Sequence, residues 1–303
     1  MNFNISTLNR PGPIGIGIIS AVTAVFIWSS WIVVSRYGAQ SPLTIYDMAA
    51  IRFGVSGLIS LSIVYYYKPW RNLEPFKVFV LAILAGLPYQ LLVYQGFKLA
   101  PASHAGVFMN GMLPLFTMVL TYIWLANIPQ NSQLTGVAMI MVGAFAGLFE
   151  SSSAIKGAWR GDVLFMLSAL LYSGFLVLVK RWNITASQIL LCVMLANGLI
   201  YVPVWLLFLP TAISETPLPQ ILLQCLFQGI LATLIGLVLV AYAVVKIGAP
   251  AVAAIMSGVP ALAALLSLLF LNEAIGALGW LSIAILTLGI LMIARPDLKS
   301  SRI

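Results

Sequence analysis

Charge is what this sequence has least of. Only 7% of its 303 residues are Asp, Glu, Lys or Arg, while 62% are hydrophobic. Soluble domains carry about 25% charged residues. A water-facing surface cannot be built from so few charges, so most of the exterior must face lipid. Histidine occurs once and cysteine twice. Cys192 and Cys225 both fall in apolar stretches, where a thiol behaves as a small buried apolar group. That usage excludes a disulfide framework and a metal cluster. No H-E-x-x-H or G-x-S-x-G occurs, and neither cysteine has a base nearby in the chain. An intramembrane enzyme is therefore left without machinery: no catalytic residue, metal site or cofactor is expected.

Acidic residues are scarcer than basic ones, 7 against 15, giving a net charge of +8. The excess does not describe a nucleic-acid binder. The basic residues sit in short loops between apolar stretches and form no patch that could track phosphates. Long polar linkers are also missing, so the chain does not divide into soluble units.

Long apolar runs are what the sequence has in abundance. A membrane-spanning helix needs about 20 apolar residues, and ten candidates are present: 14–36, 44–66, 76–98, 102–124, 132–149, 159–181, 185–208, 220–244, 250–271 and 275–294. Turn residues punctuate them, among them Ser41-Pro42, Lys68-Pro69, Pro129, Pro210 and Gly248-Ala249-Pro250. The expected fold is an all-α polytopic membrane protein with short loops and antiparallel neighbours. Residues 1–13 carry one cation, Arg10, and no small-residue cleavage site follows. The first segment then reads as an uncleaved signal anchor.

Loop charge gives the orientation. With the N-terminus in the cytoplasm, the cytoplasmic side receives Arg10, Lys68, Arg71, Lys77, Lys180, Arg181, Lys246, Arg295, Lys299 and Arg302 against Glu74 and Asp297. The other side receives Arg36, Lys98, Lys156 and Arg160 against Asp47, Glu150, Asp162, Glu215 and Glu273. The positive-inside rule places both termini in the cytoplasm of a cell whose inner membrane holds the protein.

The two halves of the chain echo one another. Pro114, Asn127 and Gly143 are spaced by 13 and 16 residues, and Pro260, Glu273 and Gly289 repeat both spacings. Trp28-Ser29-Ser30 precedes Arg36 as Tyr172-Ser173-Gly174 precedes Lys180, by eight residues in each case. The expected units are 1–150 and 151–303, each of five segments. Five is odd, so the second unit enters from the opposite side, and a pseudo-two-fold axis lies in the membrane plane. Inverted repeats of this kind build alternating-access transporters whose site lies at the midplane between the halves.

These features resemble the drug/metabolite transporter superfamily, EamA type. The resemblance is carried by Ile27-Trp28-Ser29-Ser30, Pro42-Leu43-Thr44 and Ile51-Arg52-Phe53. It continues through Tyr94 to Gly143, and again from Gly248-Ala249-Pro250 through Asn272-Glu273 to Gly289. Among bacterial members the chain most resembles the YddG-type aromatic amino-acid exporters. The resemblance implies export of amino acids or similar small metabolites. Asn127 stands where the family often has Glu, a position read as a structural helix end.

Backbone breaks at membrane depth are tolerated only where protein or a wet cavity covers them. Segment 3 carries Gly86, Pro88, Tyr89 and Gln90, segment 4 Asn110, Gly111 and Pro114, and segment 9 Ser257, Gly258 and Pro260. Pro88, Pro114 and Pro260 are expected hinges or helix breaks. Substrate is expected to meet Trp28, Tyr89, Gln90, Asn110, Gly111, Tyr172 and Ser257, in a site made by segments 1, 3, 4, 6, 8 and 9. Trp28 and Tyr172 could hold a flat or cationic group by stacking, whereas Trp31 reads as helix packing. Arg52, the one charge well inside a span, is expected in a structural network with Arg36 and Asp47, with an outer gate or a substrate-carboxylate contact as the alternative; His104 reads as structural. No carboxylate lies near the middle of a span, so transport is expected to be uncoupled or weakly coupled. The expected partners are a small-molecule substrate and the bilayer, with the protein acting as a monomer. Cationic drugs, or nucleotide-sugar and lipid-linked cargo, are the alternative substrates.

Overall fold

The structure, a computed structural model, describes residues 14–154 and 157–294. Arg10, Lys156, Arg295, Asp297, Lys299 and Arg302 of the charge pattern lie outside the described residues, as does the stretch read as flanking a signal anchor. Among the described residues there are ten spanning helices and no strand. They are α1 (Ile14–Gln40), α2 (Ile45–Tyr67), α3 (Pro75–Leu99), α4 (Ala102–Leu125), α5 (Asn131–Ala154), α6 (Trp159–Arg181), α7 (Ala186–Phe208), α8 (Leu218–Ile247), α9 (Ala249–Leu271) and α10 (Ala277–Ala294). The shortest has 18 residues, about 27 Å at 1.5 Å per residue, which nearly spans the hydrocarbon core. Large apolar side chains such as Leu58, Phe208 and Phe270 point outward, as a lipid-facing exterior requires. We call the membrane face at Ile14 the near side and the opposite face the far side.

The repeat is written into the packing. A Cβ on Gly136 would lie 2.6 Å from the Gly289 carbonyl oxygen, and one on Gly143 would lie 2.9 Å from the Ser282 carbonyl oxygen. The register that aligns Gly143 with Gly289 also aligns Gly136 with Ser282, so a two-fold rotation exchanges the two contacts. Small residues here let α5 and α10 touch backbone to backbone, the usual means of helix association in lipid. The α2–α7 pair behaves alike: Gly57 abuts the Met194 carbonyl and Gly198 the Phe53 carbonyl, again an exchangeable pair. The same register aligns two capping boxes, Thr44 with Asp47 at the start of α2 and Thr185 with Gln188 at the start of α7. Each satisfies backbone donors that a helix start leaves open. The C-caps of α4 and α9, Ala126 and Asn272, both adopt left-handed backbone, with φ of 52° and 53°. Antiparallel partners exchanged by one rotation are the signature of two inverted five-helix repeats.

Candidate functional site

α3, α4 and α9 are interrupted where proline was expected to interrupt them. α3 breaks at Gly86, and Pro88 opens its second half. α4 passes through wide π-type turns over Gly106–Gly111 before Pro114 begins its last stretch. α9 breaks at Ser257-Gly258, and Pro260 opens the remainder. Proline suits a first helical turn because the N–H it lacks would go unused there. Two further π-type stretches, Leu190–Leu195 in α7 and Cys225–Ile235 in α8, contain no proline and carry no sequence signal that was recognised. Such turns are rare and collect at functional sites.

The irregular stretches of α4, α7 and α8 meet at a cavity of about 240 Å³ in the middle of the bundle. Its walls come in pairs related by the repeat. Trp28 is matched by Tyr172, Trp31 by Phe175, Ala85 by Thr233, Tyr89 by Leu237 and Arg52 by Val193. Each pair follows the register of its helices, so the cavity sits on the pseudo-two-fold axis. Asn110 and Met109 of α4 also line it, whereas their counterparts in α9 do not reach it. The cavity meets a groove of about 360 Å³ at Leu113 and Leu176, and that groove runs past Thr117 and Thr121 to Asn127 on the near side.

Aromatic rings dominate the cavity. Tyr89 and Tyr172 stack with centroids 5.2 Å apart, and Tyr172 meets Phe175 at 5.4 Å. The Trp28 indole N–H donates to the Ala232 carbonyl at 3.1 Å, which anchors the ring against α8. The Arg52 guanidinium carbon lies 5.7 Å from the Trp31 ring centroid. Trp31 therefore lines the cavity, a correction to its reading as packing alone: it meets Phe97 in a T-shaped contact while its face serves Arg52.

Of the residues expected at the site, the structure brings together Trp28, Tyr89, Asn110 and Tyr172, and places three elsewhere. Gly111 faces α10, where an added Cβ would lie 2.3 Å from Leu286 Cδ1. The Ser257 hydroxyl donates to the Ala254 carbonyl at 2.6 Å, in a break of α9 that packs on α1, where Ser29 donates to the Val259 carbonyl. Gln90 is fully buried beside the cavity wall, and neither of its amide atoms has a hydrogen-bond partner among the described residues. α2 and α7 line the cavity in place of α9.

The expected network of Arg36, Asp47 and Arg52 resolves into three separate environments. Asp47 caps α2: its carboxylate accepts from Thr44 N–H at 2.9 Å, the Trp205 indole at 2.9 Å and Ala212 N–H at 3.0 Å. Arg52 lies five residues on, and at about 100° per residue the two side chains leave different faces of the helix. Arg36 pairs instead with Glu273 of the other half at 2.7 Å, both side chains being nearly buried. It also donates to the Phe97 carbonyl, while the second Glu273 oxygen accepts from Ala102 N–H at 2.8 Å. Close by, His104 pairs with buried Asp162 at 2.9 Å. All of these lie on the far side. The position matching Glu273 is Asn127, so among the described residues the near side has no equivalent ion pair.

Sequence reasoning missed Gln228. Its buried side-chain oxygen accepts from the Trp31 indole at 2.5 Å and the Tyr94 hydroxyl at 2.9 Å, and its amide donates to the Ser35 hydroxyl at 2.8 Å. A polar residue inside a run as apolar as Cys225–Ile235 was the available signal, since such a group must find partners away from lipid.

A ten-helix bundle of two inverted halves around a midplane cavity defines a membrane transporter. The chain matches the EamA-like transporter family over residues 15–148 and 159–295, and it belongs to that family. A solved crystal structure shares the fold with a TM-score of 0.64 and 17% identity, covering 91% of this chain and 95% of the other. No curated protein matches the chain.

Proposed function

We propose that this protein exports amino acids, aromatic and other neutral ones, and related amphiphilic metabolites across the inner membrane by alternating access. The observation that carries the reading is the aromatic cavity on the pseudo-two-fold axis. Its volume of about 240 Å³ falls below the roughly 300 Å³ at which pockets for drug-sized ligands begin. A nucleotide sugar or lipid-linked cargo would need more room and more cations than this wall supplies. In this reading units 1–150 and 151–303 rock about the cavity, and Trp28, Tyr89, Asn110 and Tyr172 hold the substrate. The near side is the cytoplasm, supported by Lys68, Arg71, Lys77, Lys180, Arg181 and Lys246 there. The buried carboxylates lie at the far ends of the helices and none lines the cavity among the described residues. That supports transport driven by the substrate's own gradient.

Proteoliposomes loaded with aromatic amino acids should release them without an imposed proton gradient. Tyr89→Ala and Asn110→Ala should each lower the flux at least tenfold while the detergent-extracted protein elutes as a single sharp species. Unchanged flux in both variants, or a strict need for a proton gradient, contradicts the proposal.

A further inference from the structure

Two arginines enter this bundle, and their surroundings differ in one respect. Arg36 has a carboxylate at 2.7 Å. Arg52 has none: among the described residues it forms no ion pair, and no other charged residue lines its cavity. The neutral Tyr94 hydroxyl lies beside it, and its guanidinium donates to the neutral side-chain oxygen of Gln228 at 3.5 Å. That oxygen is already committed to the Trp31 indole and the Tyr94 hydroxyl. The remaining titratable groups on the wall are the hydroxyls of Tyr89 and Tyr172, with Tyr94 behind them, and none of these carries negative charge in the ordinary range of pH. Across the axis, the position matching Arg52 holds Val193.

A guanidinium offers five N–H donors in a planar fork that fits a carboxylate two bonds at a time. Buried cations are retained when they are paired, and here the protein supplies no anion. The Trp31 face holds the guanidinium in place without neutralising it. We infer that Arg52 is the substrate-carboxylate site: the substrate brings the missing anion, and its flat apolar part lies among Trp28, Tyr89 and Tyr172. The inference rests on the transport reading above and narrows it to substrates bearing a carboxylate, at the expense of cations.

Three small molecules separate the possibilities in equilibrium binding to the full-length purified protein, read by calorimetry. Phenylalanine has ring, amine and carboxylate; 3-phenylpropionate lacks the amine; phenethylamine lacks the carboxylate. Phenylalanine and 3-phenylpropionate should bind at least tenfold more tightly than phenethylamine. Arg52→Gln should weaken 3-phenylpropionate at least tenfold and leave phenethylamine unchanged or tighter, and Arg52→Lys should keep part of the preference. Phenethylamine binding as well as 3-phenylpropionate to the unmodified protein overturns the role of Arg52 and leaves the transport reading standing. So does an Arg52→Gln variant that remains folded and loses both probes equally. If Arg52→Gln aggregates, the preference of the unmodified protein decides. Absence of binding by all three overturns both readings.

Discussion

Asp47 and Arg52 lie five residues apart on one helix and do unrelated work, which neighbouring positions in a sequence cannot reveal. The charge pattern reads Asp47 into a network with Arg36 and Arg52, whereas its capping role follows from Thr44-x-x-Asp47 at the start of α2. Arg52 was legible as a costly intramembrane charge, roughly 2.5–3.5 kcal/mol at a helix centre on insertion scales. Its partners were not, because Trp31 and Gln228 reach it from α1 and α8. Gln90, Gly111 and Ser257 show the same gap: a polar or small residue at membrane depth must face inward, yet the interior offers a neighbouring helix as readily as a cavity. Ala126 makes a prediction at this scale. It holds left-handed backbone at the end of α4, where its counterpart is Asn272, and a Cβ there costs roughly 1–2 kcal/mol. Ala126→Gly should therefore raise stability by about 1 kcal/mol. A higher thermal midpoint in detergent checks this; a lower one shows that the Ala126 methyl contributes packing that outweighs its strain.

At the level of elements, apolar length and turn residues were enough to place all ten helices to within a few positions, since lipid leaves the backbone no alternative to helix. The breaks in α3, α4 and α9 were legible because proline marks them. Those in α7 and α8 were not, because a π-type turn needs no particular residue. The ties between elements also escaped the sequence. Arg36 on α1 reaches Glu273 after α9, and the Glu273 carboxylate in turn caps the start of α4. This cluster ties the two halves together on the far side, while Asn127 leaves the near side without its match and the near-side groove shares Leu113 and Leu176 with the cavity. Removing one partner of a buried ion pair typically costs about 3–5 kcal/mol. Glu273→Gln should thus lower the thermal midpoint and raise the labelling of a cysteine at Ser103, in the far-side recess beside Arg36, several-fold. Unchanged labelling in a folded variant would mean that the pair does not hold the far side shut.

For the molecule as a whole, repetition was the most informative property of the sequence. Spacings that carry Pro114, Asn127 and Gly143 onto Pro260, Glu273 and Gly289 mark a duplication, ten spans in two copies leave five per half, and an odd number requires inversion. The structure adds that the axis relating the halves passes through the contact seams of α2 with α7 and α5 with α10, and through the cavity itself. Among the features that break the symmetry are Arg52 against Val193, Glu273 against Asn127, and the reach of α4 into the cavity where α9 stays out. A symmetric pair of halves would favour neither face, so such differences bias which face is open at rest, while the direction of net flux follows the substrate gradient.

Accessibility labelling from both faces tests this account most directly. In a chain with Cys192 and Cys225 replaced by Ala, single cysteines at Thr117 in the near-side groove and Ser103 in the far-side recess are reacted with a membrane-impermeant maleimide. The maleimide is applied to one face at a time, with and without phenylalanine. Opposed halves that open one cavity alternately predict that the two sites react from opposite faces and that substrate shifts them in opposite senses, one gaining as the other loses. Both sites reacting from the same face, or rising and falling together, would contradict it.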